Sequence, residues 1–265
     1  MPSYLITGAS RGIGLGIATK LLQDPKNFVV AAVRNPAAES IKKLAGEYPS
    51  DQFAVVKIDY ADYASIGKAA EGAAKILPNG LDYLISNAGV SLQDNPSFES
   101  IDLKVFEEEL RINSVAPIEV VRQFLPLVRK STAKKVVFLS TILASIEFAP
   151  TVATLAIPYA MTKAALDILA RKWAAVLYKE GITTVVLHPG KHTARVMRAR
   201  AGLTSAGWVD TDLGAGIKDW WAKANPDLKP ISVEQSAEDT LRIIWEAPLE
   251  EKIQLHNHAG GVLPW

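Results

Sequence analysis

The chain has 265 residues, a formal net charge of +1 at pH 7 and no cysteine. That length suits one large α/β domain with a sizeable core. The balanced charge argues against a nucleic-acid or acidic-membrane partner, and the missing cysteines exclude disulfides, thiolate nucleophiles and thiolate-bound metals. No stretch approaches the roughly 20 apolar residues of a membrane span, and Met1-Pro2-Ser3 lacks the basic flank and apolar run of a signal peptide, so the expectation is a cytoplasmic protein.

The first apolar run, Tyr4-Leu5-Ile6, leads through Thr7-Gly8-Ala9-Ser10-Arg11-Gly12-Ile13-Gly14 into an amphipathic stretch from Leu15. A strand, a glycine-rich turn and a helix in that order leave a helix N-terminus free of bulky side chains. Its unpaired N–H groups and aligned peptide dipoles attract anions, and the expected ligand is a dinucleotide pyrophosphate. Apolar runs recur at Phe28–Val33, Phe53–Ile58 and Leu81–Ile85, separated by helix-period stretches at 40–47 and 64–76. This alternation predicts parallel strands covered on both faces, a doubly wound sheet with ligands at the strands' C-terminal ends.

The rhythm continues with a long helix over Leu103–Lys130, which Pro117 should kink just after Asn113, and a strand at Val136–Leu139. A loop to Pro158, a helix over Tyr159–Lys179 and a strand at Thr183–Leu187 follow. Beyond Gly190 the pattern loosens until two predicted helices, Asp212–Ala224 and Val233–Glu246, and a last strand at Ile253–Leu255. His188, His192, His256 and His258 lack the spacing and carboxylate company of a metal site, so no metal is predicted. His256-Asn257-His258 reads as an exposed terminal strand.

Tyr159 and Lys163 are four residues apart, which places them on one face of a helix. A neighbouring ammonium stabilises a phenolate, so Lys163 is expected to lower the phenol's pKa from its ordinary value of about 10. Asn87-Ala88-Gly89, Asn113 and the hydroxyls of Ser140 and Thr141 stand at strand ends or helix positions predicted to face the same crevice.

At this point the chain resembles the short-chain dehydrogenase/reductase family over nearly its full length. The resemblance rests on TGASRGIG at 7–14, Asp59, SNAG at 86–89, Asn113, VVFLST at 136–141, YAMTK at 159–163 and HPG at 188–190. With VRNP at 33–36 and LPW at 263–265, it is similar to the C-factor/sniffer and fungal norsolorinic-acid-ketoreductase-like branch. The resemblance implies a Rossmann-type sheet of about seven strands with helices on both faces. It makes Tyr159 the general acid in carbonyl reduction and gives Lys163 the nicotinamide ribose as well as the phenol. Asn113 would hold a relay water. Register favours Thr141 as the hydroxyl that orients the substrate, with Ser140 second and Ser145 third. Gly8, Ser10, Arg11, Gly12, Ile13 and Gly14 would cradle the cofactor phosphates, Asp59 would meet the adenine, and Asn87, Ala88 and Gly89 would lie along the adenosine ribose. Arg34 follows the second strand where an acidic residue would select NAD, and with Arg11 it suits a 2′-phosphate, so the expected cofactor is NADP (NADPH). Family members commonly form homodimers or homotetramers, which is the oligomeric expectation here.

The family's nicotinamide loop, Pro-Gly-x-Val-x-Thr, is interrupted. Pro189-Gly190 is followed by Lys191-His192-Thr193, and a matching pattern returns only at Trp208-Val209-Asp210-Thr211. Residues 191–207 therefore read as an insertion, either a genuine lid or a translated intron, with a substrate-lid region at about 208–230. Val209 and Thr211 become the candidate loop contacts. Two functions stay open: an NADPH-dependent reductase of a ketone or aldehyde, aromatic or polyketide-like, and a binding or regulatory protein of the same fold whose turnover the interrupted loop impairs.

Overall fold

A computed structural model describes residues 1–190, 209, 211, 213 and 230–265. Strand β1 (Ser3–Thr7) and helix α1 (Gly12–Leu22) begin a strict alternation with β2 (Phe28–Val33), α2 (Glu39–Glu47), β3 (Phe53–Lys57), α3 (Tyr63–Ile76) and β4 (Tyr83–Ser86). Helices α4 (Leu103–Leu110) and α5 (Ala116–Lys130) precede β5 (Lys135–Leu139), and α6 (Ile157–Leu177) precedes β6 (Thr183–His188). After the described residues resume come α7 (Val233–Glu246), β7 (Leu255–Asn257) and β8 (Val262–Leu263). The strands join in one sheet in the order β3-β2-β1-β4-β5-β6-β7-β8.

The reversal of direction at β1/β4 is the place where a doubly wound sheet opens a crevice. Alternate side chains of the same strand feed two separate cores: Leu5 and Val30 pack with α3, α5 and α6, whereas Tyr4, Ile6 and Val29 pack with α1, α2 and α7. That two-sided burial is why the strands read as unbroken apolar runs.

Three expectations change. The sheet has an eighth strand, β8, the antiparallel partner of β7. The last parallel strand begins at Leu255 rather than ending there, and it carries Asn257 into the interior; His258, just beyond, is also buried and bonds Asp239 Oδ2 through Nδ1 at 3.0 Å, so this segment is not exposed. The long helix does not bend as a simple proline kink. Arg111–Val115 form a π-helical turn, in which the Ala116 N–H reaches back five residues to the Arg111 carbonyl. Pro117 enters the first turn of α5 without an N–H to return to residue 113, and the chain widens there instead of continuing its four-residue ladder. The insertion at 191–207 and the predicted helix Asp212–Ala224, apart from Leu213, lie outside the described residues.

Candidate active site

The crevice at the strands' C-terminal ends has a volume of about 570 Å³, within the range of small-molecule sites. Its floor is the turn after β1. Gly8 and Gly12 take φ of 70° and 53°, the left-handed region open to glycine. A methyl on Gly14 would stand 2.5 Å from both the Asn87 Nδ2 and the Gly8 carbonyl oxygen, so the turn closes only without one. Thr7, which the sequence reading did not single out, fastens this turn to the next: its hydroxyl accepts from Asn87 N at 3.0 Å and Ala88 N at 3.1 Å, while Asn87 Nδ2 donates to the Thr7 carbonyl at 2.8 Å.

Gly8, Ser10, Arg11, Gly12 and Ile13 line the crevice, with Gly14 directly beneath. Arg34 and Asp59 line it from the ends of β2 and β3, and Asn87, Ala88 and Gly89 from the end of β4. Arg11 and Arg34 are both exposed there. The first turn of α1 contains no acidic residue, which leaves its N-terminus electropositive.

The opposite wall carries Ser140, Tyr159 and Lys163. Lys163 is buried and donates to the Leu139 carbonyl at 2.8 Å, and its Nζ stands 5.9 Å from the centre of the Tyr159 ring. Burial lowers its pKa to about 8, against the pull of Asp167 upward. The phenol does not follow the expected downward shift. Burial raises the Tyr159 pKa, with the carboxyls of Asp167 and Glu109 adding to the rise. Desolvation of the phenolate outweighs any help from the ammonium.

Asn113 is wholly buried and lies behind the wall. Its Oδ1 accepts from Val90 N at 2.8 Å, and Nδ2 donates to the Val90 carbonyl at 2.7 Å and to Thr162 Oγ1 at 3.0 Å. Its side chain therefore braces the strand-β4 loop against α6. Gly89 permits this closeness, because a Cβ there would meet Asn113 Oδ1 at 3.2 Å and Lys163 Nζ at 3.4 Å. The hydroxyls after β5 also divide. Both are buried; Ser140 lines the crevice with its Oγ turned inward, and Thr141 Oγ1 accepts from Leu143 N at 3.2 Å, capping the short turn Ile142–Ala144. Ser145 Oγ accepts from Phe148 N at 3.0 Å.

Pro189 lines the crevice and its carbonyl accepts from Ser236 Oγ at 2.9 Å. Gly190 is buried beside it. Val209 is buried in a bridge to Ile231, and Thr211 lines the crevice, its methyl 3.4 Å from where a Cβ on Gly12 would sit. Two carboxyls escaped the sequence reading. Glu109 is fully buried and accepts from Leu92 N through Oε1, and Asp167 is buried one helical turn beyond Lys163. The only signal for either was its spacing from Asn113 and Lys163. Among the described residues no group of three His, Asp or Glu could hold a metal, and no helix is long and apolar enough to cross a membrane.

Residues 3–202 match the short chain dehydrogenase family. The chain is 32% identical to the short-chain dehydrogenase/reductase atnB of Arthrinium sp., over 92% of each chain. It is 36% identical to the short-chain dehydrogenase/reductase AacuF of Aspergillus aculeatus, over 72% of this chain and 74% of that one. The crystal structure of the NADPH-bound carbonyl reductase from chicken fatty liver superimposes with a TM-score of 0.82 at 28% identity, covering 100% of this chain and 99% of that one. A glycine turn beneath an electropositive helix end, a half-buried tyrosine beside a buried lysine across the crevice and these likenesses agree: the chain belongs to the short-chain dehydrogenase/reductase family.

Proposed function

We propose that this protein is an NADPH-dependent carbonyl reductase acting on a small ketone or aldehyde, with an aromatic or polyketide-like ketone as the substrate class. The observation that carries the reading is the placement of Tyr159 and Lys163 on one wall of the crevice whose floor is the glycine turn. The residues present fit the cofactor. The Gly14 position tolerates no side chain, the α1 N-terminus favours phosphate, and Arg11 and Arg34 supply charge for a 2′-phosphate. The NADPH in the chicken carbonyl reductase supports the same choice.

When bound, the reduced nicotinamide supplies a hydride to the carbonyl carbon. Tyr159 gives its phenolic proton to the carbonyl oxygen as negative charge develops there. Its raised pKa keeps that proton in place at neutral pH until a stronger base forms. Lys163, with a pKa of about 8, is cationic at neutral pH and stabilises the phenolate left behind. Ser140 or Thr141 holds the carbonyl oxygen: Ser140 lines the wall, and Thr141 Oγ1, which only accepts from Leu143 N, keeps its own proton to donate. The buried surroundings strengthen each of these interactions.

The test is NADPH oxidation with a panel of aromatic ketones in the wild type and Tyr159→Phe, with NADPH affinity measured by fluorescence. The expected result is a loss of about 10²- to 10⁴-fold in kcat/KM at unchanged NADPH affinity. Equal rates in the two proteins would remove the proposed acid. Tight NADPH binding without turnover of any ketone by the wild type would favour a binding or regulatory protein.

A further inference from the structure

The mechanism leaves Asp167 unused, although it lies on the same face of α6 as its two working residues. Tyr159, Lys163 and Asp167 follow one another at intervals of four, so phenol, ammonium and carboxyl form one column along the helix. Asp167 is 5% exposed, next to the core residue Leu166. Its Oδ1 is buried without a hydrogen-bond partner. Ser140 lines the crevice, and its buried hydroxyl lies near enough to stabilise the carboxylate, yet short of full hydrogen-bond geometry. An apolar side chain would pack at this point without the electrostatic penalty of a buried acid.

We propose that Asp167 is a positioning residue for proton transfer: from behind Ser140 and one turn beyond Lys163, it steadies the lysine cation and aims the serine hydroxyl without touching substrate. The inference rests on the carbonyl-reductase reading above for its consequence in turnover, and on the column itself for the coupling. Burial pushes the Asp167 carboxyl up to about 7, and both Ser140 and Lys163 draw it back. Asp167 in turn holds Lys163 up and raises Tyr159. The two charged groups therefore titrate as a pair. Removing the carboxylate lowers both Lys163 and Tyr159, so the ammonium and the phenolic proton are each lost at lower pH. Other ionisable groups on the elements packed against α6 are Glu109 of α4, which raises Tyr159, the exposed Lys104 and Glu107 of the same helix, Arg111 of the π turn, held by Glu108, and His188 at the end of β6. Lys179 and Glu180 follow the far end of the helix, where Glu180 is bound by Arg129.

The coupling is read first on the ligand-free protein, by carbon-13 NMR of aspartate carboxyls across a pH titration, with Asp167→Asn assigning the resonance. The Asp167 signal is expected to titrate near 7, and to move higher still in Lys163→Met because the neighbouring cation is gone. A midpoint in the ordinary aspartate range, or one indifferent to Lys163→Met, overturns the proposal. Turnover is then followed as the pH profile of kcat/KM in the wild type, Asp167→Asn and Asp167→Leu, the last filling the space with no charge. Folding of each is checked by NADPH binding. The alkaline limb is expected to move about one unit toward acid in both variants, with kcat falling and KM for NADPH within about twofold, as for a group that acts on a charge rather than on the cofactor. Superimposable limbs overturn it. A wild type without ketone reduction would sink the carbonyl-reductase reading alone, since the NMR titration still judges the coupling.

Discussion

Replacing Gly14 by alanine asks whether the glycine turn is as tightly closed as its geometry requires. The added Cβ would lie 2.5 Å from the Gly8 carbonyl oxygen, 3.0 Å from the Gly8 carbonyl carbon and 2.5 Å from Asn87 Nδ2. The amide of Asn87 can swing aside, but doing so gives up its 2.8 Å bond to the Thr7 carbonyl; the Gly8 backbone can retreat only by moving the turn itself. Forcing one methylene-sized group into such a site costs about 1–3 kcal/mol. For a chain of this size that is a fall of roughly 2–12 °C in Tm, from about 2–4 °C per kcal/mol. Gly72→Ala is the control, because Gly72 lies inside α3 with nothing within 4 Å of its would-be Cβ. It should gain about 0.5–1 kcal/mol through helix propensity. Thermal unfolding followed by circular dichroism measures both, and NADPH binding by fluorescence reports whether the turn has shifted. A Gly14→Ala protein that melts with the wild type and binds NADPH equally well would refute the reasoning.

Arg34→Ala should weaken NADPH binding by about 10- to 100-fold, the range of one or two charge-assisted hydrogen bonds, and leave NADH within about twofold; equal losses for both would remove the 2′-phosphate assignment. In the wild type, kcat/KM for NADPH in the reducing direction should fall as pH rises through about 8, where Lys163 gives up its proton, and a profile flat to pH 10 would contradict that. Glu109→Gln keeps an acceptor for Leu92 N–H but removes a buried charge. Burial raises the Glu109 pKa when folded, so the stability it contributes is present in acid and lost as pH rises above the ordinary carboxylate range. The variant's Tm should therefore gain on the wild type between pH 4.5 and 7.5, and a reversed trend would show that the carboxylate is better solvated than its burial implies.

The sheet was legible because parallel strands buried on both faces must be apolar at successive positions, as in Phe28–Val33. The glycine turn was legible too, since positive φ and close approach restrict the residue type. Strand β8 was not, because two residues carry no period. Pro117 announced a missing donor, yet only the packing of Asn113 on Val90 and Thr162 decides that the helix answers with a π turn. Glu109 closes the run Glu107-Glu108-Glu109, of which it alone is buried, and Asp167 stands in a helix apolar on several sides; neither differs in sequence from a solvated charge. The choice between Ser140 and Thr141 also turns on geometry. Neighbouring positions at a strand end point opposite ways, and resemblance alone could not say which hydroxyl the following turn would claim.

The π turn at Arg111–Val115 resets the phase of a rod that has two jobs. Upstream, α4 leans on α6; downstream, α5 covers α3 and the sheet. One surplus residue rotates the second contact stripe by about 100° relative to the first, so both partners meet an apolar surface without the rod being broken. The same surplus points Asn113 inward against Val90 and Thr162, so adding or removing a residue in this short stretch would turn it away from both.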